Sequence, residues 1–66
     1  MMFSADELAE AKRQLDSILR KLRETVKTLS EKENRDRYKS QITLAERRIR
    51  ALEIALGLIE NEIRNE

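Results

Sequence analysis

A chain of 66 residues can build one small domain, and domains of that size hide only about 60% of their unfolded surface, so they need reinforcement. There is no cysteine or histidine, which excludes disulfides and argues against a structural zinc site. One glycine, no proline, 41% charged residues and 3% aromatics suit long helices rather than sheets, and a net charge of +1 selects no partner by bulk electrostatics.

The chain begins MMFSADEL, with neither a basic segment nor an apolar run, so no secretory signal is expected. No later stretch approaches the roughly 20 apolar residues of a membrane span. A cytoplasmic protein with no membrane partner is the expectation. Within FSADEL, Ser4 is placed to cap the amide of Glu7 while the Glu7 carboxylate reaches back to the amide of Ser4. Phe3 and Leu8 are spaced for the accompanying hydrophobic staple.

From that start, Leu8, Ala11, Leu15, Ile18, Leu22, Thr25 and Leu29 recur in alternating steps of three and four, which is one helical stripe. Leu19 and Val26 widen it on one side. The spacing predicts a first helix over about residues 5–30. The polar run SEKENRDR follows, and Ser30 and Asn34 there are candidate caps, so a turn is expected at about 30–36. Neither Gly nor Pro forces that turn, which leaves one long helix with a phase defect as the alternative.

The stripe restarts in a new phase at Tyr38, Ile42, Ala45, Ile49, Leu52, Leu56, Ile59 and Ile63, predicting a second helix over about 36–64. The two stripes match as an antiparallel pair. Leu8 with Ile59, Leu15 with Leu52, Leu22 with Ala45 and Leu29 with Tyr38 all add to one constant total, whose midpoint falls inside the polar run. The expected fold is therefore all-α: residues 1–66 as a single coiled-coil-like antiparallel helical hairpin.

The second helix carries more apolar surface than one seam needs. With Ile42, Ile49, Leu56 and Ile63 as heptad position a, and Ala45, Leu52 and Ile59 as d, the residues Leu44, Ala51, Ile54, Ala55 and Leu58 remain on an outer face. The outer positions of the first helix are Lys, Arg, Glu, Asp, Gln and Ser. Contiguous apolar patches mark contact sites. Two copies crossing antiparallel about an axis between Ile54 and Ala55 would pair Ala51 with Leu58 and Arg47 with Glu62. The expected dimer interface is thus Leu44, Arg47, Ala51, Ile54, Ala55, Leu58 and Glu62, and its product is a four-helix bundle of two hairpins. Another helical protein on the same face is the alternative partner. Gly57, in mid-helix, has no evident reason for being glycine.

Charge is also segregated. Residues 20–50 hold eleven Lys/Arg and five Asp/Glu, an excess of six positive charges. The remainder holds three and eight, an excess of five negative charges. In a hairpin this makes the turn end basic and the end with both termini acidic. Arg35, Arg37, Lys39, Arg47, Arg48 and Arg50 are the candidates for contacting nucleic-acid phosphates. In size and layout the expected dimer is similar to small helical-hairpin proteins that bind RNA, such as plasmid copy-number proteins, with no shared motif. Against this, Glu46–Arg50, Asp16–Arg20 and Glu33–Arg37 have i,i+4 spacing for a salt-bridged surface.

Catalytic chemistry finds no support. Without histidine or cysteine the usual general base, thiolate nucleophile and transition-metal ligands are missing. Glu46, Glu53 and Glu60 repeat every seven residues, but a bundle di-iron site also needs Glu-x-x-His. These glutamates are expected to pair with first-helix cations such as Lys12. No cofactor, metal or catalytic residue is expected, and the predicted role is a non-enzymatic interaction module.

Overall fold

The computed structural model describes residues 2–65, with the side chain of Arg35 outside that description. It is an all-helical hairpin. Helix α1 spans Ala5–Ser30, a 3₁₀ turn spans Arg35–Tyr38, and helix α2 spans Lys39–Arg64. The molecule measures 48 × 15 × 14 Å.

Helix α1 starts where its local chemistry dictates. Ser4 sits in extended backbone, its Oγ accepts from the Glu7 amide at 3.1 Å, and its own amide donates to Glu7 Oε1 at 3.0 Å. Asp6 and Glu7 complement the positive pole of the helix, and Lys27 complements the negative one. The turn contains no residue with positive φ. It closes instead by tightening: the Lys32 amide donates to Leu29 O at 3.4 Å, and the Arg37 amide donates to Asn34 O at 2.9 Å. Asn34 precedes the 3₁₀ turn without a side-chain cap. Helix α2 therefore begins at Lys39 rather than near residue 36, uncapped by Tyr38 and with no acidic residue in its first turn.

The seam is rotated from the heptad pattern. Among the described residues Leu8, Leu19, Ala45 and Leu56 are the buried ones, while Ile18 is 46% exposed. Thr25 is also exposed, and its hydroxyl donates to Lys21 O at 3.0 Å. Leu19 and the half-buried Val26 take the places that strict heptad counting gives to Ile18 and Thr25. The reason is geometric. A straight α-helix drifts by about 20° per heptad relative to a 3.5-residue repeat, so a stripe anchored at Leu8 passes to Leu19 and Val26.

The core is thin. Among the described residues no side chain is fully buried, and the accessible surface is 5492 Å². A compact monomer of 7.8 kDa exposes about 4,400 Å² by the usual area–mass relation, leaving a surplus of about 1,100 Å² here.

Candidate interaction surface

Helix α2 has two apolar sides because its leucines, isoleucines and alanines fill more than one stripe at about 100° per residue. The inner side packs on α1 through Ala45, Leu56 and the half-buried Ile42, Ile49, Leu52, Ile59 and Ile63. On the outer side Leu44 is 48% exposed, Ile54 50% and Leu58 66%. Ala51, Arg47 and Glu62 are exposed beside them, and Ala55 is half-buried at the edge of the seam. Six of the seven interface candidates are thus exposed on the side of α2 turned away from its seam with α1, and Ala55 flanks that side.

Three further apolar groups extend this surface. Ile18 is rotated about 80° from the seam centre of α1. The helices run antiparallel, so this flank of α1 and the outer side of α2 open on one face of the hairpin. Met2 and Phe3 reach the same face: they line a shallow depression with Leu8, Leu58, Ile59 and Glu62. Phe3 also borders a second depression with Glu7, Leu8, Ala11 and Ile59. Sequence spacing assigns Ile18 to the seam and Phe3 to a staple, so it misses their place on this face. The signal for Ile18 lay in the helical drift.

Ion pairs bind the two helices along the rim. Arg23 Nη2 donates to Glu53 Oε2 at 2.9 Å, and Lys12 Nζ lies 3.7 Å from Glu60 Oε1. Two glutamates of the heptad series therefore meet cations of α1, as their spacing suggests, while Glu46 has no ion pair among the described residues. The i,i+4 pairs Glu46–Arg50, Asp16–Arg20 and Glu33–Arg37 do not form. Asp16 instead takes Lys12 at 3.2 Å, and Arg50 lies 3.8 Å from Glu53. The hydrogen bond and charge of Asp16, followed by Glu60, raise the pKa of Lys12 above the ordinary lysine value. Glu10 is held below the usual carboxylate value by a hydrogen bond from Gln14 and by the neighbouring Arg13.

The basic candidates are dispersed. Arg37, Lys39, Arg47, Arg48 and Arg50 are all exposed, whereas the Arg35 side chain lies outside the described residues. Arg47, Arg48 and Arg50 point in different directions around α2, since neighbours differ by about 100°. Carboxylates are interleaved with them: Glu33 and Asp36 share a depression with Arg37, and Asp36 and Glu46 share another with Lys39. Lys32 lies over the Tyr38 ring, 5.8 Å from its centroid.

Among the described residues no group of three or more His, Cys, Asp or Glu is placed to hold a metal ion. Among the described residues no helix is long and apolar enough to cross a membrane. No protein-family model, curated protein or solved structure matches the chain.

Proposed function

We propose that this protein is a non-enzymatic self-association module, in which two hairpins join through the outer side of α2 to form a four-helix bundle. The observation that carries this reading is the row Leu44, Ile54 and Leu58, each about half exposed or more on a hairpin with four buried residues among those described. Large apolar side chains aligned on one face lose unfavourable contact with water when a second copy covers them.

Sedimentation equilibrium at micromolar concentration tests the reading. A dimer is expected, and a well-folded monomer at all concentrations overturns it. Ile54→Glu or Leu58→Glu should shift the chain to monomer or to unfolded chain, whereas Lys21→Glu should leave the dimer in place.

Phosphate binding by the basic turn end is the weaker reading, because Glu33, Asp36 and Glu46 break up its positive surface. Titration of labelled RNA at several salt concentrations separates the two, since binding through phosphates weakens steeply with salt.

A further inference from the structure

We propose that the two copies run antiparallel and that Met2 and Phe3 of each copy cover Leu44 of the other, an inference that rests on the self-association proposed above. An axis between Ile54 and Ala55 satisfies Ile54, Ala55, Ala51 and Leu58 by pairing them across the interface. It leaves Leu44 unmatched. Leu44 lies about 21 Å along α2 from Leu58 at 1.5 Å per residue, and the axis carries it level with Asn65, beyond the last apolar residue of the partner helix. The exposed apolar groups at that level are Met2, 87% exposed, and Phe3, 52% exposed. They border the depression that contains Leu58, Ile59 and Glu62, whose near end at Glu62 is about one turn from where Leu44 arrives.

Charge favours the same arrangement independently. Leu44 shares its depression with Lys39 and Arg47, a cationic rim. The depressions around Phe3 are edged by Glu62 and Glu7, an anionic rim. Antiparallel stacking sets apolar against apolar and cation against anion at both ends. A parallel pair would set Lys39 and Arg47 against their own copies, and like charges brought together oppose association.

The chain has no cysteine, so single-cysteine variants report on geometry without background. Phe3→Cys and Leu44→Cys are mixed, oxidised briefly and resolved by mass, with the wild-type chain sedimented in parallel. The expected product is the mixed disulfide, in about tenfold excess over either self-linked species. Dominant self-linking of Leu44→Cys means a parallel dimer and overturns the proposal while leaving self-association intact. A statistical mixture of the three products means no fixed orientation and overturns it equally. A monomeric wild-type chain with no cross-link in any combination overturns both readings. As a second measurement, Phe3→Ala should raise the dimer dissociation constant about tenfold while helicity at high concentration is unchanged. An unchanged constant sinks the proposal even where the cross-link forms.

Discussion

Helices α1 and α2 have the same length, 26 residues each, and face each other along one seam, yet they solve different problems. Helix α1 is capped at its start, charged on most of its outer side and apolar toward its partner. Helix α2 is uncapped at its start and apolar on two sides. A helix like α1 gains what it needs from a single neighbour, because its remaining surface is content in water. A helix like α2 leaves Leu44, Ile54 and Leu58 in water whenever the hairpin stands alone. Intramolecular folding and the proposed intermolecular contact thus fall on different faces of one element.

The comparison breaks most visibly at the seam. Leu19→Ala removes a side chain only 5% exposed and should cost about 2–4 kcal/mol in urea denaturation. Thr25→Ala, at a position that heptad counting places inside, should change stability by under about 0.5 kcal/mol. The reverse order would return the seam to the strict heptad register.

Next in size is the cap. Ser4→Ala should cost about 1 kcal/mol, because the Glu7 amide loses its acceptor. Thermal melts at fixed concentration measure it, and Asn34→Ala, which loses no side-chain cap, should melt with the wild type. Gly57→Ala works in the other direction. A Cβ at Gly57 meets nothing within 4 Å, so alanine should stabilise α2 by about 1 kcal/mol through helix propensity alone. A loss of stability there would mean that the assembled state brings another backbone against Gly57.

The smallest effect is electrostatic. The raised pKa of Lys12 means that its pairing supports the fold below the ordinary lysine value of 10.5 and fades as pH climbs through the raised one. The lowered pKa of Glu10 gives a contribution present above 4.5 that fades as pH falls through the lowered value. Melting temperature should therefore hold a plateau between these limits with shallow losses outside them. Lys12→Met should flatten the alkaline side. Both groups are in contact with solvent, so a steep loss at either limit would point to other groups.

What the sequence discloses depends on how local the chemistry is. The Ser4–Glu7 cap is legible because four consecutive residues contain all of it. The hairpin and the surplus on α2 are legible because each is a pattern repeated over several turns. Leu19 and Val26 as seam residues are harder, since a difference of a tenth of a residue per turn decides them and accumulates only along the helix. The onset of α2 is obscured because no Gly or Pro marks the turn, and a right-handed 3₁₀ segment differs little in composition from the helix it precedes. Asp16 had both Lys12 and Arg20 one turn away, and spacing alone does not choose between them. Phe3 was hidden by a sufficient local role, the staple, which says nothing about its outer edge.

The bare start of α2 gives unfolding a direction. Its first amides lack a side-chain acceptor, and Lys39 places positive charge at the positive pole of the helix. Hairpins joined at one end usually fray from the open end, where no covalent link holds the strands together. Here the open end carries the Ser4–Glu7 cap, the Lys12–Glu60 pair and the Phe3 depressions. Amide hydrogens of the first turn of α2 should consequently exchange with solvent sooner than those near Leu8, which would make the closed end of this molecule its loose end.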